Sequence, residues 1–210
     1  MVYLGGCWEL MYTKCYHLSM ENNSNKLKNE ADKLLSNWKL IDFLNKYGET
    51  YVVGSVELDL MVWRDIDIEI IAENTPAKDG AIEIAKYLFN LEGMRKVSSI
   101  DYRDSDNTNK PKGLYVGAEY IDESKNSWKI DVWYLTKDSA NSKSKTDEIL
   151  SKLNEENRKK IVDIKSQIYN NPNYRKNVIS VDIYEAVLEK GINNLEEFKK
   201  YIKDTKNIFL

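Results

Sequence analysis

Two aspartates that alternate with isoleucine are the residues whose type and spacing point most clearly to chemistry. Residues 65–70 read Asp-Ile-Asp-Ile-Glu-Ile, and strand side chains alternate between faces, so the isoleucines share one face and the acids the other. Asp65 and Asp67 then lie about 6–7 Å apart, and carboxylates this close repel unless one is protonated or a cation lies between them. Because Mg²⁺ uses one or two carboxylates together with substrate phosphates, the pair predicts a divalent-metal site. The alternative is the solvated acidic face of an edge strand.

A small-residue turn precedes these acids. Residues 51–53, Tyr-Val-Val, predict a short strand, and Gly54 can adopt backbone conformations that are closed to other residues. Ser55 is a favourable N-cap for a helix predicted over 56–62. Because a helix N-terminus after a glycine turn offers N–H donors to phosphate, Gly54 and Ser55 are predicted to bind a nucleotide.

A third acid lies inside a later strand. Residues 128–135, Trp-Lys-Ile-Asp-Val-Trp-Tyr-Leu, are dense in aromatic and β-branched residues and predict a buried strand. An unpaired buried charge is costly, so Asp131 needs a partner. We favour a metal ion shared with Asp65 and Asp67, and a nearby lysine or arginine is the alternative. Arg64 is either a phosphate contact or the partner of Asp65.

These residues together resemble the nucleotidyltransferase superfamily, which includes polymerase-β-like enzymes and the aminoglycoside and lincosamide nucleotidyltransferases. Its pattern is a hydrophobic strand, Gly-Ser or Gly-Gly, a spacer of about this length, an acid–hydrophobic–acid strand and a later single acid. The resemblance covers residues 30 to 137. It implies that Asp65 and Asp67 bind two Mg²⁺ ions, and that Asp131 binds one ion and helps to deprotonate the attacking hydroxyl. It also implies that Gly54 and Ser55 contact the triphosphate of an NTP co-substrate.

The remaining sequence predicts the elements that position these residues. Apolar residues at helical spacing and alternating stretches indicate an α+β fold. This fold is a small mixed β-sheet with helices packed on one face, nucleotidyltransferase-like, followed by a C-terminal helical lobe. Further elements are predicted as helices over 25–47, 76–90, 149–168, 178–190 and 195–202 and as strands over 95–102 and 113–121.

Changes in composition divide the chain into three parts. We predict an N-terminal extension over residues 1–25, with Met11 and Met20 as alternative starts, so that this part need not be native structure. A nucleotidyltransferase-like domain is predicted over 26–137. A helical lobe over 138–210 follows a small polar linker, and it either forms a wall of the substrate cleft or serves as a packing or dimerisation element.

The sulfur and imidazole side chains exclude several other chemistries. With one histidine, His17, a histidine-based catalytic triad is not expected. Cys7 and Cys15 are too few for a disulfide framework, and with His17 they supply three ligands where structural zinc takes four. No apolar run is long enough to cross a bilayer, and no signal-peptide pattern precedes Cys7. A cytoplasmic protein is therefore expected.

The distribution of charge bears on which molecule would accept the nucleotidyl group. The net charge of −3 and the pI near 5.5 lack the basic footprint of a nucleic-acid binder, and the lysines over 143–165 are interspersed with acids. A small molecule with a hydroxyl, with antibiotics as the leading example, is therefore predicted as acceptor, and nucleic acid is not. The alternatives are a nucleotidyltransferase that modifies a protein partner, or a nucleotide-binding or protein-interaction module of the same fold without turnover.

Overall fold

The computed structural model describes residues 23–106 and 110–210. His17, Cys7, Cys15, Met11 and Met20 lie outside these residues. The helices are α1 (23–37), α2 (Leu40–Leu44), α3 (Gly54–Glu57), α4 (Lys78–Phe89), α5 (Ser142–Lys152), α6 (Glu155–Ile168), α7 (Ser180–Lys190) and α8 (Leu195–Lys206). The strands are β1 (Glu49–Val53), β2 (Asp65–Ala72), β3 (Met94–Asp101), β4 (Gly113–Ile121) and β5 (Ser127–Thr136).

The five strands form one mixed sheet in the order β1-β2-β5-β4-β3. Only the central pair, β2 and β5, is parallel among the described strands, and the other neighbours are antiparallel. The predicted α+β fold class, with a mixed sheet and accompanying helices, is confirmed. The parallel pairing places two strands from distant parts of the sequence side by side at the centre of the sheet.

Apolar side chains hold the central strands in place. Ile66, Ile68 and Ile70 of β2 are completely buried, as the alternation predicts. On β5, Ile130 and Val132 are also fully buried, and α4 packs against β3 and β4. Burial of a side chain of this size is worth about 1.5–3 kcal/mol, so a shift of either strand by one residue would be costly.

Two predicted long helices are each interrupted. The helix predicted over 25–47 is divided into α1 and α2, because Lys39 adopts the left-handed conformation with φ 46°. The helix predicted over 149–168 is divided into α5 and α6. Asn154 caps α6 by accepting the backbone N–H of Asn157 at 2.9 Å, which satisfies a donor that a helix start otherwise leaves open.

The helix predicted over 56–62 is also different in the structure. It is the single turn α3, with Val53 at its N-cap position. Ser55 therefore lies inside the first turn and is not the N-cap. The helix stops early because Asp59 adopts a left-handed conformation with φ 55°, a region that L-residues rarely occupy in helices.

The chain forms two compact units. One contains Lys28–Leu58 and Trp63–Leu150, and therefore the whole sheet. The described part of the other contains 23–27, Asp59–Val62 and Ser151–Leu210. The three-part division at residues 25 and 137 stays a prediction. No helix in the described ranges is both long and apolar enough to span a membrane.

The helical unit contains a fully buried lysine. Lys165 of α6 donates hydrogen bonds to the backbone oxygen of Leu60 at 2.6 Å and to the Tyr184 hydroxyl at 3.2 Å. A buried ammonium requires such acceptors, because its removal from water is costly. Lys165 thus attaches the short segment Asp59–Val62 to the helices of this unit.

Candidate active site

Three aspartates meet on one face of the sheet. Asp65 and Asp67 project from β2, and Asp131 of β5 is in direct register with Asp67. Carboxylate oxygens of all three residues lie within 4.8 Å of one another, and each residue is partly buried. Hard divalent cations collect oxygen ligands at about 2.0–2.6 Å, so the donor set and the spacing fit such an ion. We call these three residues the carboxylate cluster.

The apolar side of each strand sets the direction of the acids. The buried isoleucines of β2 and the buried Ile130 and Val132 of β5 face the core. Alternation then turns Asp65, Asp67 and Asp131 to the opposite face. The repulsion between the carboxylates is thus imposed by burial of their apolar neighbours, and a nearby positive charge or protonation of one carboxylate relieves it.

Lys129 supplies a positive charge to this cluster. Its Nζ contacts the Asp131 carboxylate and lies 3.7 Å from Oδ1 of Asp65. Desolvation lowers the pKa of Lys129, but the surrounding carboxylates, Asp65 first, outweigh it and hold the pKa above its ordinary value. Two partners were considered for Asp131, a lysine or a metal ion shared with Asp65 and Asp67. The structure places the lysine and both aspartates beside it. Lys129 was missed as a site residue, although it lies two residues before Asp131 and hence on the same strand face.

Two aromatic side chains orient the carboxylates. The Tyr115 hydroxyl donates to Oδ1 of Asp131 at 2.8 Å, and Nε1 of Trp63 donates to Oδ2 of Asp65 at 3.1 Å. Burial, followed by the bond to Asp131, raises the pKa of Tyr115. The phenol therefore stays protonated and acts as the donor at neutral pH. Trp63 lies two residues before Asp65, a spacing that could have indicated it, whereas no spacing in the sequence relates Tyr115 to Asp131.

The predicted small-residue turn lies beside Asp67. Gly54 adopts a left-handed conformation with φ +66°, and a Cβ at this position would lie 3.1 Å from Oδ2 of Asp67. Glycine is therefore needed both for its backbone conformation and for the close approach to the acid. The N–H of Gly54 donates to Oγ1 of Thr146 at 3.2 Å. Ser55 follows at the same turn and is 9% exposed.

Glu69 is buried, which does not fit the solvated acidic face considered as the alternative for this strand. Its side chain is 1% exposed and accepts the backbone N–H groups of Ser142 at 3.0 Å and Lys143 at 2.9 Å. These are N–H groups of the first turn of α5, which have no acceptors within the helix. The same helix carries Thr146, so Glu69 fixes the element that accepts the Gly54 N–H. The sequence gives no local sign of this long-range cap.

Arg64 pairs with a carboxylate other than Asp65. Its guanidinium donates to Glu30 of α1 at 3.1 Å and lies over the Trp128 ring at 5.7 Å from the ring centre. The side chain therefore connects α1 to the sheet. Of the two roles considered for Arg64, pairing with Asp65 is wrong, because Glu30 of α1 supplies the carboxylate. A phosphate contact stays a prediction.

Removal of the Lys129 charge is expected to strengthen metal binding. The ammonium competes with any cation for Asp65 and Asp131, and the loss of one such charge in a partly exposed site is worth about 1 kcal/mol, or about five-fold in affinity. Titration with Mn²⁺, followed by electron paramagnetic resonance without nucleotide, should show this gain for Lys129→Met. Lys137→Met, which removes an exposed lysine just beyond β5, should bind Mn²⁺ like the unaltered protein. Weaker binding by Lys129→Met would contradict the expectation.

Comparison with known proteins identifies the fold. No protein-family model and no curated protein matches the chain. Among solved structures, a mutant of the Cid1 poly(U) polymerase bound to MgATP is 15% identical with a TM-score of 0.60, over 85% of this chain and 55% of that one. The same polymerase with Mg 3′-dATP is 16% identical with a TM-score of 0.53, over 76% and 47% of the two chains. A cytoplasmic RNA terminal U-transferase is 12% identical with a TM-score of 0.52, over 81% and 51%.

The resemblance to the nucleotidyltransferase superfamily is thus confirmed at the level of the fold. The chain spans about half the length of these structures. The solved structures are nucleotidyltransferases, and this chain has the same kind of fold with three aspartates close enough to share a metal ion.

Proposed function

We propose that this protein is a metal-dependent nucleotidyltransferase that moves a nucleoside monophosphate from an NTP to a hydroxyl group. The observation that carries the proposal is the meeting of Asp65, Asp67 and Asp131 within 4.8 Å, on a nucleotidyltransferase-like fold. A module without turnover has little reason to hold three mutually repelling carboxylates together, because their repulsion destabilises the folded state.

The carboxylate cluster would hold two Mg²⁺ ions, with Asp65 and Asp67 as ligands to both and Asp131 as ligand to one. Bound metal supplies charge neutralisation at the phosphates and lowers the pKa of the acceptor hydroxyl. Phosphoryl transfer depends chiefly on positioning and electrostatics, so no nucleophilic serine or cysteine is required. Asp131 would also help to accept the hydroxyl proton, with its carboxylate held in orientation by Tyr115.

The turn at Gly54 and Ser55 would contact the triphosphate. This contact is supported by the position of Gly54 against Asp67, because a triphosphate bound by the carboxylate cluster would lie beside Asp67. Lys129 is a cation at the same cluster. Its ammonium would bind phosphate oxygens when metal ions take over the carboxylates.

The acceptor is proposed to be a small hydroxylated molecule, for which an antibiotic is one example. The support is the net charge of −3 and the absence of a basic run, since nucleic-acid binding depends on clustered lysine and arginine. The end of an RNA chain is a second candidate, favoured by fold neighbours that are a poly(U) polymerase and an RNA terminal U-transferase.

Thermal melting with nucleotide and metal tests the proposal. Melting temperature should rise when ATP or GTP and Mg²⁺ are both present, and little with either alone, because a ligand stabilises only the state that it binds. Asp67→Ala should remove this joint effect.

A screen for pyrophosphate release, with hydroxylated small molecules and a short RNA as acceptors, then identifies the reaction. No joint shift and no pyrophosphate would overturn the assignment.

A further inference from the structure

Three aromatic rings lie next to Asp131. Tyr115 of β4 pairs directly with Trp133 of β5, and their ring centres are 5.0 Å apart. Tyr102, which follows β3, lies 5.5 Å from the Trp133 ring and 6.3 Å from the Tyr115 ring. All three side chains are only partly buried, so each presents surface to solvent. We call Tyr102, Tyr115 and Trp133 the aromatic patch.

The aromatic patch is continuous with the carboxylate cluster. Trp133 lies two residues beyond Asp131 on β5, on the same face and about 6–7 Å further along the strand. Tyr115 makes the direct connection through its hydrogen bond to Asp131. Gly117, the partner of Asp131 on β4, allows this arrangement, since a Cβ there would lie 2.3 Å from the Tyr115 hydroxyl oxygen. A larger residue would displace the ring from the acid.

The two sides of Asp131 differ in chemistry. Lys129 lies on one side along β5 and contacts the carboxylates, which suits the polyanionic triphosphate. On the other side lie the rings of the aromatic patch. The acceptor hydroxyl must reach Asp131 to react, so the body of the acceptor has to occupy the surface that borders this residue. A flat, uncharged ring matches that surface better than a phosphate group does.

We propose that the aromatic patch stacks a flat ring of the acceptor, placed within a few bonds of the hydroxyl that attacks. The acceptor class is then a nucleoside-like molecule, in which a flat aromatic ring is attached to a sugar, and not a saturated polyol. Stacking on an aromatic side chain tolerates many aromatic rings, because each of them has a π face. This inference rests on the proposed function, and it narrows the acceptor to one chemical class.

A comparison of adenosine with D-ribose tests the proposal. Both probes carry sugar hydroxyls, and only adenosine carries the flat ring. Calorimetric titration of the full chain, with Mg²⁺ and a non-hydrolysable ATP analogue present, should show binding of adenosine and at least ten-fold weaker binding of ribose. Trp133→Leu and Tyr102→Ala should each weaken adenosine binding about ten-fold, in line with stacking on a single ring. Phe89→Leu, which alters an exposed ring on α4, should leave it unchanged.

The readouts separate this inference from the proposed function. Mn²⁺ and the ATP analogue should bind the two patch variants as they bind the unaltered protein, and urea unfolding verifies that each variant is folded. A five-nucleotide RNA serves as a second probe, and ring-dependent binding of either probe supports the proposal and distinguishes a free nucleoside from an RNA end. If metal and ATP analogue bind but neither probe depends on Trp133 or Tyr102, the patch does not receive the acceptor. If metal and analogue fail to bind as well, the proposed function itself is overturned.

Discussion

Asp131→Asn is expected to reduce nucleotidyl transfer by about a thousand-fold or more, which corresponds to about 4 kcal/mol of transition-state stabilisation. The substitution keeps the shape of the side chain and an oxygen that can accept the Tyr115 hydroxyl. It removes the negative charge that would bind metal and accept the hydroxyl proton. The loss should appear mainly in kcat, because the proposed contacts of the triphosphate are made by other residues.

The measurement is the initial rate of pyrophosphate release with the acceptor found in the screen. Asp138→Asn is the matched control, since Asp138 is an exposed acid just beyond the end of the same strand, and its rate should be unchanged. Mn²⁺ affinity provides a second readout and should fall only for Asp131→Asn. A variant that retains more than about a tenth of the rate would remove Asp131 from the proposed chemistry.

Glu69→Ala is expected to lower the free energy of unfolding by about 3 kcal/mol. The buried carboxylate accepts two backbone N–H groups of α5, and its loss leaves both donors without that partner, at about 1–3 kcal/mol for a buried group. The lost helix cap contributes about 1 kcal/mol of the same effect. Because α5 also carries Thr146, the turn at Gly54 should lose order as well.

Urea unfolding measures this effect. Glu69→Gln keeps one acceptor oxygen and should cost less than the alanine variant. Glu73→Ala, which removes an exposed glutamate just beyond the end of β2, should stay within about 0.5 kcal/mol of the unaltered protein. Equal stability of Glu69→Ala and Glu73→Ala would show that the Glu69 carboxylate does not hold α5.

Local sequence patterns were sufficient to identify the residues of the carboxylate cluster. Strict alternation over 65–70 identified Asp65 and Asp67 and placed their isoleucine neighbours in the core. Asp131 was found because an acid inside an apolar strand needs a partner. The supporting residues were not found. Trp63 lies only two residues before Asp65, whereas Tyr115 is on another strand and only folding brings its hydroxyl to Asp131.

Helix boundaries were also only partly predictable. Apolar spacing indicated where helices occur, but Lys39 and Asp59 adopt left-handed conformations that interrupt the predicted pattern. Such conformations cost free energy for residues other than glycine. They persist because tertiary packing compensates for this cost, and the spacing of apolar residues does not reveal such compensation.

The sequence by itself determined which acids share a strand face and which side chains enter the core, because alternation is a property of consecutive residues. Only the tertiary structure decided that Asp67 and Asp131 lie in register, that Lys129 contacts Asp65, and that Glu69 caps α5 instead of facing solvent. These contacts join residues far apart in the chain or on different strands. They depend on the parallel pairing of β2 with β5 and on burial, which no short stretch of sequence specifies.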